Sequence, residues 1–237
     1  MTGSNRLARL VRGLKQLVLC LLGAVLLYQF WLFGWVLWWG RANPDMTRFM
    51  EIRLAELRQS DPAARLTRQW ADYERISPNL KRAVVAAEDD LFVQHDGFDW
   101  HGIQRAIEKN QRRGRIVAGG STISQQLAKN LFLSPDKTPW RKAQEAAVTL
   151  MIETVWSKRR ILEVYLNVIE WGVGLFGAEA AARHYYGVSA AQLSPDQAAR
   201  LAAMVPSPRF YDRNRNTPGL GARASAIRAR MSAAQIP

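Results

Sequence analysis

Two short stretches hold the residues best suited to chemistry. Glu88-Asp89-Asp90-Leu91-Phe92-Val93-Gln94-His95-Asp96-Gly97 gathers carboxylates beside a histidine, and Gly119-Gly120-Ser121-Thr122-Ile123-Ser124-Gln125-Gln126-Leu127-Ala128-Lys129-Asn130 follows downstream. The first offers a proton acceptor. The second offers backbone N–H groups, hydroxyls and an ammonium, the set that a phosphate or pyrophosphate needs. Glu88 falls in the last turns of a predicted helix, where the macrodipole disfavours negative charge, and Asp89 and Asp90 add like-charge repulsion. Both effects raise a carboxylate pKa toward that of a general base near neutral pH. The plainer alternative is a set of exposed acids capping a loop.

On the helix expected after Thr122, positions 122, 126, 129 and 130 share one face, while Ile123, Leu127 and Leu131 share the other. Thr122, Gln126, Lys129 and Asn130 would then face an anion together, with Gly119 and Gly120 leaving the helix start open to close approach. A solvated polar face behind an ordinary turn would give the same pattern. Glu145 is a second carboxylate candidate, one turn after Arg141, with Glu153 two turns further on; Arg141 and Glu145 could equally be a helix-stabilising i,i+4 pair.

Three other constellations carry less. His95 and His101 with Asp89, Asp96 and Asp99 match neither a zinc helix motif nor a calcium loop, so no dedicated metal cage is expected. Ser134-Pro135-Asp136-Lys137 spells S-x-x-K without an S-D-N or K-T-G partner and reads as a turn. Arg112, Arg113 and Arg115 sit in no recognised nucleic-acid motif, and no nucleic-acid partner is expected.

Helices must position these residues, because the pattern after residue 45 is helical almost throughout. Ser77-Pro78 reads as N-cap and first helical residue, with Leu80, Val84, Ala87 and Leu91 on one face. Asp99 can cap a helix with Ile103 and Ile107 inward, ending in Lys109, Arg112, Arg113 and Gly114. Thr122 and Gln125 form a T-x-x-Q capping box for a helix to about Leu131. Thr138-Pro139 opens a longer helix through Trp156, and Ser157 caps the next, with Ile161, Leu162, Tyr165 and Leu166 inward. Gly172, Gly174 and Gly177 read as a glycine-rich connection before a short helix from Ala178 to Tyr186. Ser194-Pro195-Asp196-Gln197 starts another helix, Pro206 and Pro208 mark its exit, and the residues from Gly221 to Met231 read as an Ala/Arg-rich tail.

Residues 17–39 are apolar apart from Gln29 and long enough to cross a bilayer. Arg6, Arg9, Arg12 and Lys15 precede this run and supply part of the net charge of +13; the remainder still favours acidic partners. By the positive-inside tendency the basic tail, 1–16, stays cytoplasmic and the main domain lies outside the plasma membrane. The apolar run is too long for a signal-peptide h-region, and no small-x-small cleavage site follows Trp39, so an uncleaved anchor is expected. Cys20, the single cysteine, lies in the span, which excludes disulfides and a thiolate metal site from the outer domain.

Together, E-D-D-L-F-V-Q-H-D-G-F-D, G-G-S-T-I-S-Q-Q-L-A-K-N-L-F, R-K-A-Q-E and I-L-E-V-Y-L-N, in this order, resemble the successive motifs of the family 51 peptidoglycan glycosyltransferases. The resemblance covers residues 70–230, and a single anchor with no transpeptidase domain is like the monofunctional members. It implies a mainly α, lysozyme-like glycosyltransferase domain (70–237) with a small membrane-associated lobe, preceded by one transmembrane helix (17–39) and a juxtamembrane linker or membrane-associated segment (40–69). The implied reaction is polymerisation of lipid II into glycan strands with inversion at the N-acetylmuramic acid C1 and loss of undecaprenyl pyrophosphate. Glu88 would be the general base. Thr122, Gln126, Lys129 and Arg141 would hold the donor, Lys129 and Arg141 nearest the pyrophosphate, and Glu145 would order those cations or a divalent ion, Mg or Mn. Asp89, Phe92 and His95 would shape the site, and Ser121, Gln125 and Asn130 belong to the same substrate-binding motif. Partners would be lipid II, the growing strand, the plasma membrane and proteins of cell division or elongation. A lysozyme-like lytic enzyme and an anchored scaffold are the rival readings; a good diphosphate leaving group needs charge stabilisation more than protonation, which favours the transferase. Two departures from the family pattern, Gln197 for the usual Glu and Ser207-Pro208 for Asn-Pro, lie away from the expected reaction centre.

Overall fold

A computed structural model describes residues 3–115, 119–136 and 138–237, with side chains described from Leu10 onward. Lys137 of the S-x-x-K stretch and residues 116–118 of the basic loop lie outside the described residues. Among those described, eleven α-helices follow in order: α1 Gly3–Trp39, α2 Arg48–Ser60, α3 Pro78–Glu88, α4 Trp100–Arg113, α5 Ile123–Phe132, α6 Pro139–Val155, α7 Lys158–Val168, α8 Ala178–Tyr186, α9 Pro195–Met204, α10 Pro208–Arg213 and α11 Pro218–Arg230. The chain is mainly helical, as expected. α1 contains a 30-residue segment, Leu10–Trp39, long and apolar enough to cross a membrane.

Local capping accounts for most helix starts. The Ser77, Asp99, Thr122, Thr138, Ser157 and Ser194 side chains each accept a hydrogen bond from a first-turn N–H, removing an orphan donor. α5 and α9 carry full capping boxes, Thr122 with Gln125 and Ser194 with Gln197. α7 runs through the core: Ile161, Leu162, Tyr165 and Leu166 are fully buried, and it packs on α5, α6 and α8. α3 seats Leu80 and Val84 against α9 and α11.

The structure departs from the sequence reading in three places. The 170–177 connection holds two short strands, β2 Glu170–Gly172 and β3 Leu175–Phe176, and residues 67–68 form β1, giving a sheet of order β1-β3-β2. Thr67 pairs with Leu175 in the parallel ladder, and Glu170 with Phe176 in the antiparallel one. Gly177 has φ +87°, and a Cβ there would sit 3.1 Å from the Asn167 and Gln69 carbonyls, so the turn into α8 requires glycine. The Ala/Arg-rich tail is α11, with Leu220 and Ile227 buried against α9 and α3. On α4, Ala106 is the buried residue and Ile107 is half exposed, so that helix packs less deeply than its pattern implied.

Residues 40–69 are largely folded. Thr47 caps α2, whose Phe49 and Met50 enter the core, and α2 packs on α5. Arg53 meets Glu56 and Glu170, while Arg209 on α10 meets the same two acids, tying α2, β2 and α10 together.

Candidate active site

Glu88 is the last residue of α3, with its side chain 11% exposed. Gln126 Nε2 donates to its Oε2 at 2.9 Å, and Tyr165 Oη donates to Gln126 Oε1 at 2.9 Å. Tyr165 is fully buried, and burial with the nearby Glu88 and Asp89 charges holds its pKa well above the usual value, so it stays a donor and fixes which way the Gln126 amide points. Glu88 Oε1 is buried with no hydrogen-bond partner among the described residues; Arg223 of α11 stands 3.9 Å away. Burial is the largest influence on Glu88 and raises its pKa, against Gln126, Arg223 and Lys129, with Asp89 adding a smaller push upward. A buried carboxylate with one oxygen anchored and one unmet can accept a proton.

The start of α5 does hold an anion, but it is Asp89. Ile123 N–H donates to Asp89 Oδ2 at 3.0 Å, while the Thr122 and Gln125 N–H groups go to the capping box. Asp89 Oδ1 lies 2.9 Å from His95 Nε2, and Gly97 N–H donates to His95 Nδ1, which places the His95 proton on the Asp89 side. Thr122 Oγ1 donates to the Gly97 carbonyl at 2.7 Å. Gly97 has φ +91° and a Cβ would come within 2.8 Å of Thr149 Cγ2, so this knot requires glycine. The expectation of an open helix end for a diphosphate is therefore corrected: three of its amides already have protein partners.

The remaining predicted residues separate into two groups. Thr122 and Gln125 are buried in the cap, Asn130 Nδ2 donates to the Gln126 carbonyl on its own helix, and Phe92 is fully buried beneath the Lys158 ammonium. These shape the site from within. Lys129, Arg141 and Glu145 form a charged cluster. Arg141 and Lys142 both pair with buried Glu145, and Lys142 also reaches Ser121 Oγ at 3.4 Å. Each Glu145 oxygen is met by a cation of its own helix, Arg141 at one and Lys142 at the other. The Lys129 ammonium has no hydrogen-bond or ion-pair partner among the described residues, and Arg141 Nε is buried without one. Burial lowers the Lys129 pKa most; Glu145 and Glu88 oppose that, and Arg141 and Lys142 add to it. Of the metal-like constellation only Asp89 and His95 meet, while Asp99 caps α4 and His101 is exposed.

A polar cleft of about 330 Å³ adjoins Glu88, walled by Gly119, Gly120 and Ser121 on one side and by Arg105, Lys109 and Arg230 on another. The cleft and the Lys129 cluster meet at Glu88 through charge: Lys129 acts electrostatically on both Glu88 and Glu145.

Residues 55–232 match the transglycosylase family. The chain is 67% identical over 226 residues to the biosynthetic peptidoglycan transglycosylase of Dechloromonas aromatica, covering 95% of this chain and 98% of the relative. Those of Azoarcus sp. and Nitrosospira multiformis are 62% and 60% identical over 226 residues, again covering 95% of this chain and at least 97% of each relative. The chain belongs to the transglycosylase family.

Two features of this transglycosylase's site escaped the sequence reading. Tyr165 was expected inward but not as the donor that orients Gln126. Arg223 came from a segment read as a biased tail, and only the packing of α11 on α3 brings it to Glu88. A further chain beneath the site, Ser124 to Glu153 to Lys158 to the His95 carbonyl, is also built from three separate helices. No local spacing signals such contacts.

Proposed function

We propose that the protein is a peptidoglycan glycosyltransferase that polymerises lipid II, with Glu88 as general base. The acceptor 4-hydroxyl gives its proton to Glu88 Oε1 as its oxygen bonds to the donor C1. The bond from C1 to the pyrophosphate oxygen breaks with inversion, and its electron pair leaves on the prenyl pyrophosphate. Lys129 and Arg141 stabilise the charge gathering on that leaving group, and Glu145 holds Arg141 and Lys142 in place. Asp89 and His95 shape the loop around Glu88. The single observation that carries this reading is a carboxylate with one buried, unmet oxygen standing in the field of a half-buried ammonium that has no hydrogen-bond or ion-pair partner among the described residues.

The anchor helix supports a domain held at the membrane that carries such a substrate, and the basic residues before it favour an N-terminus in the cytoplasm with the domain on the outer face. Proteins of division or elongation would meet it there. Glu88→Gln keeps the Gln126 contact and removes the proton acceptor. Its expected effect, read on labelled lipid II resolved by product length, is a loss of about 10²–10⁴ in kcat. Polymer growth at the wild-type rate would exclude Glu88 as the base, and shortening of preformed glycan without growth would favour a lytic enzyme.

A further inference from the structure

Gln29 is the one amide in an otherwise apolar stretch of α1, and it is not left to the lipid. Gln29 Nε2 donates to Gln144 Oε1 at 2.9 Å, and Gln144 Nε2 donates back to Gln29 Oε1 at 3.2 Å; Gln144 is 7% exposed. Further along the same face Leu32 and Val36 are buried, and Trp156 Nε1 donates to the Val36 carbonyl at 2.7 Å. Arg160 closes the end of α1 by donating to the Trp39 and Ala42 carbonyls. Gln29 meets the second turn of α6 and Val36 the residue that caps its end, so the two helices run side by side in the same sense.

The anchor therefore grips the domain at two levels, seven residues or about 10 Å apart along α1. Trp156 and Arg160 form the outer attachment, and the amide pair forms the inner one. With the outer attachment alone, the domain could pivot about Trp156 and swing the start of α6 away from the membrane. Gln144 lies between Lys142 and Glu145 and follows Arg141 by one turn, so the end that would swing carries the cationic cluster.

We infer that Gln29 and Gln144 are positioning residues for the lipid-linked donor, holding Arg141, Lys142 and Glu145 at the level where a membrane-borne diphosphate is presented. This rests on the glycosyltransferase reading. The donor's height is set by its prenyl chain in the bilayer, so a displaced cluster captures donor less well without slowing bond formation in donor already seated.

The test uses the full chain in lipid nanodiscs with long-chain lipid II, and in detergent with the same headgroup on a short, water-soluble prenyl chain. Gln29→Leu and Gln144→Leu should each raise KM for the long-chain donor about fivefold, within the range for one interhelical polar contact, with kcat unchanged. The double variant should be no worse than either single, because both act through one interaction. All three should match wild type on the short-chain donor. An unchanged KM in nanodiscs, or equal losses on both donors, overturns the inference. Should Gln144→Leu fold poorly, Gln29→Leu, whose change lies in the anchor, decides by the same readout. A wild type that polymerises neither donor removes the glycosyltransferase reading, and this inference with it.

Discussion

At the residue scale, Glu88 is set apart from Asp89 and Asp90 by where its oxygens are, not by the company it keeps in sequence. Asp89 is buried but doubly satisfied and Asp90 is exposed; Glu88 alone combines burial with an unmet oxygen. The sequence showed the acids and correctly suggested a raised pKa, but through neighbouring charge and the helix end, whereas burial dominates. Burial was not legible because α11, Gln126 and Tyr165 all come from elsewhere in the chain. A raised Glu88 pKa moves the acid limb of kcat/KM upward from the ordinary carboxylate range, as a pH–rate profile would show. The stability sign follows. Folding favours the protonated form, so Glu88's contribution falls as pH rises from the ordinary value of 4.5 through the raised one. Glu88→Gln should therefore raise Tm at neutral pH by roughly 2–4 °C, about 1 kcal/mol for a domain this size, with the gain vanishing below that window. For Lys129→Met, donor KM should rise about tenfold or more while Tm holds or increases, since a half-buried cation without a hydrogen-bond or ion-pair partner is removed. A fall in Tm with KM unchanged would assign Lys129 to the fold.

Among the elements, α5 carries the most of the site and was the most legible. Its capping box is written in adjacent residues, as is that of α9, so spacing alone located both. Its partner Asp89 was not, since the 34 residues that separate it from Ile123 are closed only by the tertiary fold. Asp89→Ala should lower Tm by roughly 4–8 °C, about 2 kcal/mol for a buried helix-end carboxylate, and release His95; Thr122→Ala, which removes the ordinary cap, should cost about 1 kcal/mol. Equal stability of wild type and Asp89→Ala in thermal melts would contradict that role. The sheet was illegible for a different reason. β1 and β3 are two residues each, too short to display a period of two, and their pairing joins residues 67–68 to 175–176.

For the whole molecule, the segment before residue 70 is bound into the domain by charge as well as packing. Glu170 is nearly inaccessible and depends on Arg53 and Arg209, which share Glu56. Arg209→Ala should destabilise by about 2–3 kcal/mol in thermal unfolding, less than full loss of a buried pair because Arg53 remains. A change within about 0.5 kcal/mol would mean that packing of α2 on α5 suffices. α1 and α3 to α9 and most of their caps were open to reading from sequence, whereas α2, α10 and α11 were not; nor was the docking of α1 and α2, because it depends on Gln29, Phe49 and Met50 finding surfaces far along the chain. The seat of α1 has a practical side at the bench. A recombinant fragment beginning after Trp39 would bare the trough that receives Leu32 and Val36 and strip Arg160 of a carbonyl it caps. Such a fragment would cling to itself or to surfactant even with every other part of the enzyme intact.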